Sequence, residues 1–548
     1  MITPKSMITG RVGEDGRVTG VGAVGPVRAV AAVGARGSGR VDREGVERLR
    51  GDLAGFTVDA VQDLLGPVAH AALGREQPVP ARLAVTEGPA AGEPLAVLLA
   101  AFVLGLPVTR AALDAALPAV GTDGAVRLGL VETSGHGGYD AVRALVDLRP
   151  YAAVDALGQH DWWVVSDLAE LATGAPLRVD HVLGVGGASV TLARCTIRRH
   201  VGRVLDLGTG CGVQALHATR HARHVVATDV SGRALALAGL TLALNGVGDR
   251  VELRAGDLLE PVAGEHFDLV VSNPPFVITP RRTGVPAYEY RDAGLVGDEL
   301  VRQLVTDVGA VLAPGGIAQF LGNWEHRRGE PWSERVTGWL ADSGLDGWVV
   351  QREVQDPAEY AELWIRDGGR PDAARYEQLY RAWLEDFATR GVEAVGFGLV
   401  TLRRPLEAGP GPRPPLRRVE EVRGGGDGPL GEHLAAALDA ADLLARTSDA
   451  ELLERRPRLA ADVTEERYHR PGEEDPEVAL LRQTAGFGRV VRADTALAGF
   501  AGAADGELTA GQLAGALAHL LERPVADVVP GLLPAVRGLT TDGFLTWA

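Results

Sequence analysis

The run Asp206-Leu207-Gly208-Thr209-Gly210-Cys211-Gly212 lies between a strand-like segment, Arg203–Gly208, and a helix-like segment, Gly212–Ala222. Glycine adopts positive φ and lets a backbone approach a ligand closely. The helix that follows presents its unpaired N–H groups toward the same place. A strand, a glycine turn and a helix in that order are the opening unit of a doubly wound α/β sheet.

The rest of the middle of the chain repeats the alternation. Val225–Val230, Val251–Ala255, Leu269–Ser272 and Ile317–Leu321 read as further strands, and Gly232–Asn245 and Gly297–Leu312 as helices. Two later strand candidates are Gly347–Val354 and Val395–Leu402, with an aromatic-rich helical stretch, Glu359–Phe387, between them. Such alternation predicts a mainly parallel sheet with helices on both faces.

Length and composition set the surroundings. A chain of 548 residues has room for about three domains. Residues 1–45 are rich in Gly, Val and Arg and lack aromatics, which predicts a disordered tail. Residues 46–181 are expected to form a mainly helical accessory domain, with Thr57 as N-cap of a helix over Val58–Leu65. Val126–Thr133 and Ala141–Leu148 are expected as a strand pair in a small α/β or winged-helix unit. Trp162-Trp163 lie on a short strand that either packs in a core or lines a groove. Residues 182–404 hold the sheet. Residues 405–428, rich in Pro, Gly and Arg, read as a linker. Residues 429–548 read as a helical, winged-helix-like domain, with a capped helix start at 507–513 and a helix leading into a final strand over 532–545.

The net charge of −17 removes a chain-wide basic field for nucleic acid, leaving only local patches. Lys5 is the sole lysine, so the positive charge is arginine throughout. Cys195 and Cys211 are the only cysteines and cannot make a disulfide framework. The longest apolar run, Pro94–Leu106, falls short of the roughly 20 residues a membrane span needs. No membrane partner and a cytoplasmic location are therefore expected.

Two strand-end acids accompany the glycine turn. Asp229, in Ala227-Thr228-Asp229-Val230, stands where a carboxylate can accept both hydroxyls of a ribose. Asp257, in Ala255-Gly256-Asp257-Leu258, stands where one can reach an adenine amino group. With these, the chain resembles the class I S-adenosylmethionine-dependent methyltransferases. The resemblance covers about Val182–Arg404. It implies S-adenosylmethionine as cofactor and a seven-stranded sheet with a reversed last strand. The cofactor residues it implies are Asp206, Gly208, Thr209, Gly210, Gly212, Asp229, Val230, Asp257, Leu258 and Asn273. Gly184–Ser189, ahead of the first strand, either wraps the donor or is an ordinary turn. Cys211 reads as a small turn residue.

Asn273-Pro274-Pro275-Phe276 follows the fourth strand. An amide or exocyclic amine nitrogen is planar and a poor nucleophile, because its lone pair is delocalised. The Asn273 side-chain oxygen and the Pro274 carbonyl can accept its N–H bonds and turn the lone pair toward a methyl donor. The prolines stiffen the carbonyl and bring no N–H of their own. Phe276 offers a face for a flat acceptor. The candidate catalytic residues are thus Asn273, Pro274, Pro275 and Phe276, with no metal and no covalent intermediate required. The motif resembles those of release-factor glutamine methyltransferases and of adenine or guanine N-methyltransferases. It implies a macromolecular substrate, protein or nucleic acid, with Asn273–Pro280 leaning toward glutamine. A small amide-bearing metabolite and a non-catalytic binding protein are the alternatives.

Arg281, Arg282 and Arg291 flank this motif as phosphate contacts, acidic-surface contacts or a solvated loop. Arg194, Arg198, Arg199, His200 and Arg203 form a second basic cluster, a partial stripe if helical. Glu325 and His326 border the site without an assigned proton role. Oligomeric state has no sequence signal.

Overall fold

The computed structural model describes residues 42–547 other than 156, 370, 407–414 and 425–427. The expected tail therefore lies outside the described residues up to position 41, and its last residues already belong to a helix, Arg43–Asp52, capped by the Asp42 carboxylate.

The organising element is one sheet. Its strands are β1 (Val201–Leu207), β2 (Ala222–Asp229), β3 (Val251–Ala255), β4 (Phe267–Ser272), β5 (Leu312–Arg327), β6 (Asp346–Gln355), β7 (Val392–Arg403) and β8 (Arg417–Glu421). Their spatial order is β8-β6-β7-β5-β4-β1-β2-β3. Strands β1 to β5 pair in parallel, and β7 runs antiparallel to both β5 and β6. The expected seven strands with a reversed last one are present, and β8 adds an eighth, parallel to β6. The β8 strand corrects the linker expectation for 405–428. Arg417-Arg418-Val419-Glu420-Glu421 lacks the apolar alternation that announces a strand. Tertiary partners hold it: Glu420 accepts from Trp348 Nε1 at 2.7 Å and from Arg489.

Helices cover both faces: α1 (Val213–Ala218), α2 (Gly232–Leu244), α3 (Glu299–Asp307), α4 (Trp332–Ser343), α5 (Pro357–Asp367) and α6 (Ala373–Thr389). Helix α2 starts where the Ser231 side chain caps Ala234 N–H, and it buries Leu237, Leu240 and Leu244. Each buried leucine contributes about 1.5–3 kcal/mol. On its outer side, Arg50 of the first helix bonds the Leu244 and Ala243 carbonyls at 2.9 Å, so the N-terminal region is docked on the sheet's helical layer.

That region is helical, as expected. Thr57 caps Val58–Leu73, which is interrupted at Gly66 by φ +67 before Pro67. The strand pair is shorter than expected, Val131–Thr133 with Ala141–Ala144. Residues 126–127 end a helix, Gly121–Arg127, because the chain reverses at Gly129 with φ +76. Residues 147–148 open the next hairpin, Asp147–Asp155 with Gly158–Ser166. Strand Val108–Thr109, helices Arg110–Ala116 and Gly121–Arg127, and the two strands give a winged-helix order. Trp162 and Trp163 are packed: Trp163 Nε1 donates to the Phe56 carbonyl at 2.8 Å, and Trp162 is buried against His217. Residues 96–102 of the helical run Pro94–Val103 are buried in this core, and among the described residues no helix is long and apolar enough to cross a membrane.

The C-terminal region carries a three-stranded antiparallel meander (Val463–Tyr468, Val478–Gln483, Val490–Ala493) besides its helices. The expected capped helix is present, Ala510–Leu520, with a Thr509–Gln512 capping box, followed by Val525–Thr541 and the strand Leu545–Trp547.

Candidate functional site

Strands β1 and β4 are neighbours, but the chain leaves them in opposite directions, β1 toward β2 and β3, β4 toward β5. Such a switch point leaves a crevice beyond the strand ends, where open α/β sheets bind ligands. The glycine turn leaves β1 at this crevice and Asn273–Phe276 leaves β4 at it. Leu207 pairs with Ser272, and Ser272 Oγ donates to the Leu207 carbonyl at 2.7 Å. Both motifs therefore begin one residue past the same rung.

Gly208, Gly210 and Gly212 have φ of +74, +54 and +86. A Cβ on Gly212 would lie 3.2 Å from the Ala238 Cβ, so this glycine lets α1 and α2 approach. At Gly208 and Gly210 a Cβ would meet no protein atom within 4 Å. The space beside the turn is therefore open at those two glycines.

Asp229 ends β2 beside this turn. Its Oδ2 accepts the Gly210 N–H at 2.9 Å and its Oδ1 the Ser231 N–H at 2.9 Å. Burial pushes its carboxyl above the usual range. Val230, next in sequence, is exposed to 67% although apolar. Asp206 is buried under the turn; its Oδ2 accepts the Thr209 hydroxyl at 2.6 Å and its Oδ1 has no partner among the described residues. Burial pushes its pKa up to about 7. Cys211 is buried, and desolvation holds its thiol protonated, with a pKa of about 12. Asp257 follows β3 with its side chain exposed, and Leu258 takes a left-handed φ of +43, a strained conformation for a leucine.

At the end of β4 the Asn273 Oδ1 is buried and has no partner among the described residues. The Pro274 carbonyl accepts the Phe276 N–H at 2.8 Å. The prolines bring no N–H of their own, but Phe276, directly after them, supplies one. One lone pair is engaged locally and one is left. Phe276 bridges to Asp292 and is partly buried where three apolar clusters meet. The segment after the motif is pinned from a distance: Ile278 N–H donates to the Tyr360 hydroxyl at 2.9 Å, and Asn323 Nδ2 donates to the same oxygen at 2.7 Å. Tyr360 lies on α5, and no local pattern near 273 points to it. The Gly184–Ser189 segment opens a helix, Gly187–Cys195, whose Ser189 carbonyl accepts from Gln214 of α1 at 2.8 Å, next to the glycine turn.

Two family models match the chain. One, described as a methyltransferase small domain, covers residues 184–285, and one described as a domain of unknown function, DUF7059, covers 53–145. The chain is similar to a ribosomal protein uL3 glutamine methyltransferase of Bradyrhizobium diazoefficiens, with 33% identity over 28% of this chain and 52% of the relative. It is similar to a ribosomal RNA small subunit methyltransferase C of Alcanivorax borkumensis, with 33% identity over 23% of this chain and 33% of the relative. It is also similar to a release factor glutamine methyltransferase of Xylella fastidiosa, with 33% identity over 34% of this chain and 69% of the relative. The chain belongs to the class I S-adenosylmethionine-dependent methyltransferases. It spans about half the length of the uL3 enzyme and a third of the rRNA enzyme.

The basic groups of this methyltransferase, expected as phosphate contacts, acidic-surface contacts or a solvated loop, are paired within the chain. Arg281 pairs with the buried Asp292 and bonds the Leu295 carbonyl. Arg282 pairs with Glu385, and Arg291, itself buried, pairs with Asp367 at 2.7 Å. Carboxylates brought in by α5, α6 and the loop itself neutralise all three. The second cluster is not a stripe, because the helix ends at Cys195. Arg198 turns to Asp155, Arg199 to Asp439 and Arg203, on β1, to Glu265. Glu325 is fully buried between Arg327 and Arg390, and His326 bonds Gln351 and stacks on Trp332.

Proposed function

We propose that this methyltransferase transfers a methyl group to a planar amide or exocyclic amino nitrogen of a macromolecule, and that the acceptor is a protein glutamine. The observation that carries this reading is the Asn273 Oδ1: a buried amide oxygen without a partner among the described residues, one residue past the rung that joins β4 to the strand of the glycine turn. A buried acceptor is costly to leave unpaired. An N–H of the substrate satisfies it.

The residues fit S-adenosylmethionine. Gly208 and Gly210 leave room above the turn, the Asp229 carboxylate keeps lone pairs beyond its two backbone bonds, and the exposed Val230 offers an apolar cover for a flat base. Asp257 stands exposed at the end of the neighbouring strand, with Leu258 turning the chain beside it. Thr209, Gly212 and Asp206 set the shape of the turn. When bound, the cofactor supplies an electrophilic methyl on a sulfonium sulfur.

The chain's own part is positioning. Asn273 Oδ1 and the free lone pair of the Pro274 carbonyl hold the two hydrogens of a primary carboxamide or amine, which fixes the nitrogen lone pair toward the methyl. Pro275 stiffens the turn and Phe276 faces the flat acceptor. The protein lean rests on the glutamine enzymes among the relatives and on the neutralised arginines beside the motif. The rRNA relative favours a nucleobase as the second reading. The experiment offers labelled donor with purified release factor, uL3 and ribosomal RNA. Label in a methylated glutamine carboxamide supports the proposal. Label confined to RNA replaces it with the second reading. Label in none of the three overturns the translation-component substrate.

A further inference from the structure

Helices α5 and α6, inserted between β6 and β7, do more than cover the sheet. Together with the loop after the acceptor motif and with Glu170 and Pro176 they line an open cavity of about 290 Å³, close to the lower end of ligand-site volumes. Its wall combines the rings of Tyr288, Trp364 and Trp383 with the apolar Val285, Ile365 and Leu379. Arg291 also lines it and is 5% exposed.

Two residues of this wall carry N–H groups, Trp364 Nε1 and Arg291 Nε, that are buried and have no acceptor among the described residues. Native proteins rarely leave such groups unpaired. Both are donors, so the missing group is an acceptor such as a carbonyl. The apolar wall asks in addition for an apolar body beside that carbonyl.

The cavity is tied to the acceptor motif. The Arg291 carbonyl accepts the Val277 N–H at 2.7 Å, directly after Phe276. One turn before Trp364 on α5, the Tyr360 hydroxyl accepts the Ile278 N–H. The wall that carries the orphan donors is therefore bonded to the two residues that leave the motif.

We propose that this cavity recognises the substrate chain next to the methylated residue, taking an apolar side chain against Trp364 and Trp383 and a main-chain carbonyl on the Trp364 and Arg291 N–H groups. This rests on the reading of Asn273–Phe276 as an acceptor site for a protein substrate. A protein segment fits better than RNA. The Arg291 charge is already matched by Asp367, the Arg375 guanidinium is engaged by Gln378 and the Gly284 carbonyl, and the Glu170 carboxylate also lines the cavity.

The test measures binding without methyl transfer. A random library of capped octapeptides is panned on the immobilised full chain saturated with S-adenosylhomocysteine. Wild type is compared with Trp364→Phe, which keeps a ring and loses the N–H, and with Val285→Trp, which fills the cavity from the partly exposed loop. Wild type should retain peptides with an apolar residue at a shared position. Trp364→Phe should weaken the retained peptides about tenfold, as the loss of one charge-free hydrogen bond in a dry site does. Val285→Trp should abolish retention while donor affinity and melting temperature stay as in wild type. Asn273→Ala should retain the same peptides, which separates this inference from the acceptor reading. Equal retention by wild type and both variants overturns the proposal, as does absence of any retained peptide. Retention of oligoribonucleotides that Val285→Trp abolishes overturns it in favour of RNA.

Discussion

The Asp229 carboxylate accepts the Gly210 N–H at 2.9 Å, across the gap between the end of β2 and the turn that leaves β1. Its other oxygen accepts Ser231 N–H, at the start of α2. One side chain therefore fixes the height of the glycine turn and the entry of the next helix. The carboxylate proposed to meet the donor also shapes the loop beneath it.

Asp229→Ala removes both duties. Hydrogen bonds to a charged group contribute about 1.5–3 kcal/mol each. Donor affinity should fall at least tenfold, accompanied by a modest drop in melting temperature as Gly210 and Ser231 lose their acceptor. Calorimetric titration of S-adenosylmethionine checks the first and a thermal melt the second. Unchanged affinity would remove Asp229 from the donor site.

Asp206 makes the site sensitive to pH. Burial raises its pKa from 3.8 to about 7, so the folded protein holds a proton there that the unfolded chain has released. The sign follows: between about pH 4 and 7 the stability contribution falls as pH rises, by about 1.4 kcal/mol per unit, and it is flat above the folded pKa. The observable is the difference between wild type and Asp206→Asn, whose slope lacks this component. A cationic donor above the turn favours the ionised carboxylate, so donor binding should release a proton near neutrality and tighten as pH rises from 6 to 8. Titrations in buffers of different ionisation enthalpy measure that proton. Parallel stability curves for the two proteins would show that Asp206 does not titrate in this range.

What was legible in the sequence was local. Gly208, Gly210 and Gly212 announce a positive-φ turn, and Asp229 and Asn273 close strands whose apolar runs are unbroken, so each motif can be placed without knowing its neighbours. Long-range pairing was not legible. Arg281 and Arg282 read as phosphate contacts, acidic-surface contacts or a solvated loop until Asp292, 11 residues on, and Glu385, 103 residues on, arrive beside them. Tyr360 reaches the acceptor segment from 82 residues away. The β8 strand has no apolar alternation and exists because β6 offers an edge and Trp348 and Arg489 hold Glu420. Side chains that act through contact order leave no periodic trace.

The arginine pairs set a prediction opposite to that of a phosphate clamp. Arg281 is 29% exposed, while its partner Asp292 is fully buried. Removing the cation leaves that carboxylate uncompensated, at a cost of about 3 kcal/mol. Arg281→Ala should lower the melting temperature by several degrees and reduce turnover, because Asp292 bridges to Phe276. Arg282→Ala, which breaks an exposed pair with Glu385, should change stability by less than about 1 kcal/mol. Turnover of either protein should depend only weakly on salt. A steep salt dependence that Arg281→Ala flattens by about one log unit per decade would indicate phosphate contact instead.

Asn273→Ala separates donor binding from transfer. The side chain makes no hydrogen bond through Oδ1 among the described residues, so its removal breaks no internal acceptor contact of that atom. Fold and donor affinity should therefore remain those of wild type. Transfer depends on holding the substrate nitrogen pyramidal and aimed, which a methyl group cannot do. The turnover number should fall about 100- to 1000-fold, the loss typical of one positioned group that acts on the reacting atoms. Because the interaction strengthens as the nitrogen leaves planarity, kcat and kcat/KM should fall together, with KM little changed. Single-turnover transfer from labelled donor, measured beside the donor dissociation constant, gives both numbers. Near-normal turnover in Asn273→Ala would make the motif a structural turn. A matching loss of donor affinity would place Asn273 with the cofactor alone.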